Sequence, residues 1–275
     1  MTGLPVRKIY IDTRFKSNDS TSNSDFRFQL GKSVFLLKDS TFCIDDINIP
    51  HSWNTIEAGV NDRLYVAWRL VEANIMTYKI IMIPAGMYTG AELATWFRSE
   101  INAQGSGQWT VVWNKNNTIT FATNNVANFK IYTDEELSAM SGVGGFTGMD
   151  PYNKMTVNEI LQIYGNQTGI YAGTGKPFTT GFLNMITNQD LYLSSASLGS
   201  FDAMGARGES SVIRKIPVNV SWGSSIIDKL AWDCDNMSCS KLSLTTIDCQ
   251  VRGVRGNIVP LNGGHVSFTI RFKEN

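Results

Sequence analysis

Apolar and polar positions alternate with a period of two along much of this chain, the signature of strands with one buried and one wet face. Over 25–30, Phe26, Phe28 and Leu30 share one face, while Arg27 and Gln29 share the other. Over 41–49, Phe42 and Ile44 fall on one parity and Ile47 and Ile49 on the opposite one. The phase changes at Asp45 and Asp46, which predicts a bulge there. The last patterned stretch sets Val266, Phe268, Ile270 and Phe272 against Ser267, Thr269 and Arg271, and reads as a strand that closes a sheet. Further strands are predicted over 6–11 and 63–70, with 74–83 pairing to the latter as a hairpin. After Pro177 they are predicted over 179–186, 191–195, 212–218, 225–231 and 242–251. Strands separated by turn residues, one after another, point to an antiparallel sandwich and not to βαβ units.

The character changes between Pro84 and about 175. Thr89 and Glu92 have the spacing of a capping box, Tyr88 can staple onto Leu93, and Leu93, Trp96, Phe97 and Ile101 form one helical face that Gly105 and Gly107 end. Strands over 109–113 and 118–123 flank an Asn-Lys-Asn-Asn turn, and a third runs over 128–133. The glycine-rich stretch 135–175 carries little pattern, though Thr156 and Glu159 suggest a second capping box leading into Ile160, Leu161 and Ile163. The expected class is therefore mainly β, with a β-sandwich built from 1–83 and 176–275 and a small α+β insertion, a helix plus β-meander, over 84–175. The expected sandwich core includes Phe26, Phe28, Ile44, Leu64, Val66, Ile213, Ile247, Phe268 and Ile270.

The stretch 191–218 reads as a strand, a polar loop punctuated by Gly199, Gly205 and Gly208, and a second strand carrying Arg214, Lys215 and Pro217. Proline cannot donate to a ladder, so Pro217 places this second strand at a sheet edge.

Composition removes several classes of function. A 275-residue chain that is 43% hydrophobic can bury a full core, and its 24 basic residues balance 24 acidic ones. No basic field exists to hold a phosphate backbone, so nucleic acid is not an expected partner. No stretch has the apolar length of a membrane span, and the opening MTGLPVRKIYIDTR lacks the apolar segment of a secretory signal. Cys43, Cys234, Cys239 and Cys249 are few for this length and are expected as buried thiols.

Catalytic motifs fail one by one. Gly173-Thr174-Gly175-Lys176 lacks the glycine a phosphate loop needs at Ile170 and the hydroxyl it needs at Pro177. Gly142 and Gly144 lack a third glycine at Thr147, and the two histidines, His51 and His265, are too few for a metal cluster. Cys234 and Cys239 lack zinc-ribbon spacing, Asp233 and Asp235 lack a calcium loop's glycine, and Arg207-Gly208-Glu209 reads as turn chemistry. No catalytic residue, metal or cofactor is expected, and an enzyme is not.

Four segments carry a resemblance: KIYIDTRFKSNDSTSNSDFRFQL, FCIDDINIPHSWNTIEAGVNDRLYV, SFDAMGARGESSVIRKIPV and RGNIVPLNGGHVSFTIRF. Together they resemble the penton-type minor capsid proteins of polinton and adintovirus-like elements, in the adenovirus-like lineage of icosahedral DNA viruses. The resemblance implies a jelly roll, a homopentamer at capsid vertices, contact with the major capsid protein, and in some members a fibre or host-receptor role; it implies location in the virion and no cofactor. The loop over 197–211, whose glycines and serines cannot bury apolar surface, is expected to be ordered from outside the fold, and with the edge strand after it forms part of the expected subunit contact, with Arg207, Glu209, Arg214, Lys215 and Pro217 as its residues and an Arg207–Glu209 pair able to form across it. The rival expectation is a receptor- or glycan-binding β-domain, such as a fibre tip or lectin-like module, with Trp53, Trp109 and Trp113 as its platform.

Overall fold

The structure, a computed structural model, describes residues 7–36, 39–70, 75–104, 108–124, 126–140, 146, 156–163, 171–172, 176–199, 203–205, 208–230, 236–239 and 243–273. The chain divides into two compact units, 1–53 with 188–275, and 54–187.

In the first unit, β1 (Arg7–Asp12), β2 (Asp25–Phe35) and β3 (Thr41–Pro50) precede the second unit, and the remaining strands follow it. Two sheets result. One has the order β1-β16-β3-β13, the other β12-β11-β15-β2, where β11 is Asp190–Ser194, β12 Val212–Pro217, β13 Ser225–Lys229, β15 Ser243–Gly253 and β16 Ser267–Lys273. The short β14 (Met237–Ser238) adds to β3. The pairs β1 with β16, β2 with β15, β3 with β13 and β11 with β12 are all antiparallel. They are the four rungs of one long hairpin whose tip lies between β11 and β12. Rolling that hairpin so that successive rungs alternate between sheets gives an eight-stranded jelly roll.

Burial follows the alternation. Phe26, Phe42, Ile44, Ile213, Ile247, Phe268 and Ile270 lie in one buried cluster, and Phe28 packs partly buried against it. The expected bulge is present: Ile270 pairs with Ile44 and Thr269 with Asp46, so Asp45 is the extra residue. Asp45 turns its carboxylate to Lys8 Nζ at 2.7 Å and Arg271 Nε at 3.8 Å.

The second unit contains β4 (Arg63–Leu70), β5 (Thr77–Met82), α1 (Gly90–Ala103), β6 (Trp109–Trp113), β7 (Ile119–Thr123), β8 (Val126–Ile131), the short α2 (Asp134–Ala139) and α3 (Asn158–Leu161), β9 (Tyr171–Ala172) and β10 (Phe178–Thr179). Its sheets run β5-β4-β8-β9 and β10-β7-β6. The expected box at α1 is formed, with the Glu92 amide donating to Thr89 Oγ1 at 3.2 Å and the Thr89 amide donating to Glu92 Oε2 at 2.8 Å. Leu93, Phe97 and Ile101 are buried with Phe121, Phe129 and Ile131 in a core of their own.

Several elements differ from the sequence pattern. The expected boundaries were 83/84 and 175/176; the compact units meet at 53/54 and 187/188. β4 and β5 belong to the second unit because Val66 pairs with Ile131 and Trp68 with Phe129 of β8, and Leu64 and Val66 bury in the second core. Alternation reports that a face is buried and not which partner buries it. Thr156 does not cap α3, whose N-cap is Val157; its hydroxyl donates instead to Asp134 Oδ1 at 2.7 Å. A capping box does form at Thr133 and Glu136, ahead of α2. Of the strand expected over 179–186, only Thr179 pairs, as the end of β10; beyond it the backbone donates instead from Thr180 to Ile119 O, from Leu183 to Asn117 O and from Asn184 to Ile160 O.

Candidate functional site

Strand β12 stands at the end of its sheet, paired with β11 from Leu191↔Ile216 through Leu193↔Arg214, and Pro217 is exposed at its far end. A terminal strand exposes one row of backbone donors and acceptors, and the proline removes a donor from it. Ile213 and Ile216 anchor the strand in the core.

The charged residues of the strand are engaged within the unit. Arg214 donates from Nε and Nη2 to Asp228 Oδ2 at 2.9 and 2.8 Å, with both side chains mostly buried. Lys215 Nζ lies 3.0 Å from Asp190 Oδ2, and this hydrogen bond and charge raise the lysine above its ordinary pKa. Lys215 itself stays exposed, on the strand's outer side. Glu209 lines a small cavity of about 150 Å³ with Tyr192, Ser211 and Arg252. Arg207, and with it the expected pair to Glu209, lies outside the described residues.

The loop after β11 is held from inside the fold, contrary to the expectation that something external must order it. Leu198 is completely buried in the sandwich core. The Asp248 carboxylate accepts from the amides of Ser197 at 2.7 Å and Ala196 at 3.1 Å, and the Leu198 amide donates to Ser195 Oγ at 3.1 Å. Burial pushes the Asp248 carboxyl up, but the hydrogen bonds from Ser197 and Ala196 outweigh it and hold the acid below its ordinary value. At the far end, the Gly205 amide donates to Glu209 O at 2.7 Å and Gly208 adopts φ +86°. Glycine counting missed this because one leucine and one aspartate on a distant strand do the anchoring.

The rival aromatic platform is not assembled. Trp53 is 1% exposed in the sandwich core and Trp109 is 3% exposed in the second core, leaving Trp113 at 41%. Of the two histidines weighed in the sequence, His51 is buried against Trp53 with ring centroids 4.2 Å apart, and His265 Nδ1 lies 3.3 Å from Thr13 Oγ1. Among the described residues no group of three or more His, Cys, Asp or Glu side chains is placed to hold a metal. No helix among them is long and apolar enough to cross a membrane.

Two exposed apolar side chains on the same edge of the sandwich are not singled out by motif. Trp222, in the turn before β13, is 51% exposed and Ile227 is 60% exposed. Consecutive Ile226 and Ile227 were the available signal, since in a half-buried strand two neighbours cannot both face the core.

No protein-family model and no curated protein matches the chain. Among solved structures, the chain is similar to the crystal structure of the mavirus penton protein, with TM-score 0.54 and 8% identity over 98% of this chain and 99% of that one. The Sputnik virophage structure determined by cryo-EM matches with TM-score 0.48 and 10% identity over 97% of each chain. The jelly-roll fold implied by the sequence resemblance is thus the fold observed, shared with a penton protein along nearly its whole length.

Proposed function

We propose that this chain is a structural virion protein, a penton-type minor capsid protein that forms vertices as a homo-oligomer, a pentamer, in contact with the major capsid protein. The observation that carries the reading is the extent of the correspondence. It covers 98% of this chain and 99% of the mavirus penton protein, so it takes in the 54–187 unit as well as the jelly roll. A shared sandwich alone would carry little, because one fold hosts many functions. A second support is the charge balance: the chain has formal net charge zero, so net repulsion between copies is small. Lys215 and Pro217 remain exposed on an edge strand and stay within the proposed contact, while Arg214 serves the fold.

Mass photometry and negative-stain imaging of the purified protein test this. The expected result is a ring with five times the 30.5 kDa chain mass. A strict monomer at micromolar concentration that also fails to enter particles overturns it.

A further inference from the structure

Trp222 is held in solvent by a turn that is fastened on several sides. The His51 amide donates to Ser224 O at 2.9 Å, the Gly223 amide donates to His51 O at 2.8 Å, and His51 Nδ1 lies 3.0 Å from Val220 O. Gly223 takes φ +81°, a conformation that favours glycine, and the buried His51 ring lies against Trp53 with the ring planes tilted by 33°. The backbone that carries this exposed aromatic ring is thus set before binding and loses little freedom on docking, which suits an interface anchor.

The opposite edge of the same sandwich carries a different surface. Between Gln29↔Thr246 and Val34↔Leu244, four residues of β2 (30–33) stand against Thr245 alone, so the edge strand bulges away from its neighbour. The bulge and β1 enclose a groove of about 1010 Å³, lined among others by Arg7, Lys8, Leu30, Lys32, Val34 and Phe35. Leu30 and Val34 are half-buried on the sandwich core and Phe35 is 68% exposed; Lys32 is exposed beside them, Arg7 donates from Nη1 to Phe35 O at 3.4 Å, and Lys8 is held by Asp45 at 2.7 Å.

We infer that the turn carrying Trp222 docks in the β1/β2 groove of a second copy of this chain. The occupant follows from complementarity: the groove offers apolar area and cations, and a tryptophan offers both the area to fill it, roughly 150–250 Å², and the ring face that attracts guanidinium or ammonium. Each copy carries both surfaces, on opposite edges of one sandwich, β12/β13 and β1/β2. Because the two surfaces differ, the contact is head-to-tail and repeats from copy to copy until the ring closes. Trp222 lies on the same edge as Lys215 and Pro217. The inference rests on the homo-oligomer reading and names the surfaces that build the oligomer.

Trp222→Lys and Phe35→Lys, both at exposed positions, test it by sedimentation velocity with circular dichroism to verify the fold. Each variant alone is expected to stay folded and fall to monomer, with the contact weakened about 30-fold or more, while Trp222→Phe keeps the ring. An equimolar mixture of the two lysine variants has one productive pairing, the intact Trp222 of one with the intact groove of the other, and is expected to stop at a discrete dimer. Assembly of either lysine variant like wild type, or a mixture without dimer, overturns the inference and assigns these surfaces to another partner while leaving the oligomer reading intact. A monomeric wild type overturns that reading and the inference with it.

Discussion

The Arg214 guanidinium meets the Asp228 carboxylate at 2.8 Å, and the two residues stand on the strands that end the two sheets, β12 and β13. The pair is a latch between the two sheets at this edge. Arg214→Met leaves the mostly buried Asp228 carboxylate without this guanidinium and Asp228→Leu takes this carboxylate from Arg214, so each alone is expected to cost about 2–4 kcal/mol, and the double variant much less than the sum. Urea denaturation of both singles and the double checks this. Additive losses would mean that the two side chains act independently.

Each unit has its own core, and each is expected to report truncation separately. Phe268 is 2% exposed with its ring 6.4 Å from Phe26, and Trp109 is 3% exposed with its ring 4.2 Å from Phe129. Phe268→Ala and Trp109→Ala should each cost about 3–5 kcal/mol. Chemical denaturation followed by peptide-resolved hydrogen exchange should place the first loss in the jelly roll and the second in the 54–187 unit. Unchanged stability of Trp109→Ala together with loss of a glycan ligand would restore the platform reading.

The jelly roll was legible because its signals are local: alternation at 25–30 and 265–272, a phase slip at Asp45, and a proline at an edge. What stayed hidden depends on residues far apart in sequence. β4 looks like any half-apolar strand until Ile131, a β-branched residue 65 positions from Val66, is found opposite it. The box at Thr133 and Glu136 had the same chemistry as the one at Thr89 and Glu92, but it opens a helix of 6 residues, too short for an apolar face to flag it. The proposed contact was legible only as an edge. Exposure of Trp222 depends on how His51 fastens its turn, and no spacing rule encodes that.

Thiol chemistry separates buried from accessible cysteines. Cys43 and Cys249 are fully buried and Cys239 is half-buried, and burial pushes the Cys249 thiol well above its ordinary pKa. The thiolate is the reacting form, so Cys249 has neither access nor ionisation in its favour. Peptide-resolved maleimide labelling of native protein is expected to modify Cys239 ahead of Cys43 and Cys249, with the latter two reacting only on unfolding. Rapid labelling of Cys249 would place β15 away from the core.

Asp248 supplies a pH dependence whose sign is fixed by its shift. Its carboxyl is held below the ordinary value by the amides of Ser197 and Ala196 and the Ser197 hydroxyl, against a burial cost that pushes the other way. A depressed acid contributes stability that is present above its unfolded-state pKa, about 4, and is lost as pH falls through the lower folded value. Asp248→Asn keeps the shape but removes the charge, and should cost about 1–2 kcal/mol at pH 7. The gap between wild type and variant should close as the pH is lowered from 5 toward 3, because the wild-type carboxylate then protonates too. Urea midpoints for both proteins across that range are the measurement. A gap that stays constant with pH would mean that the loop after β11 is held by hydrogen-bond geometry regardless of charge.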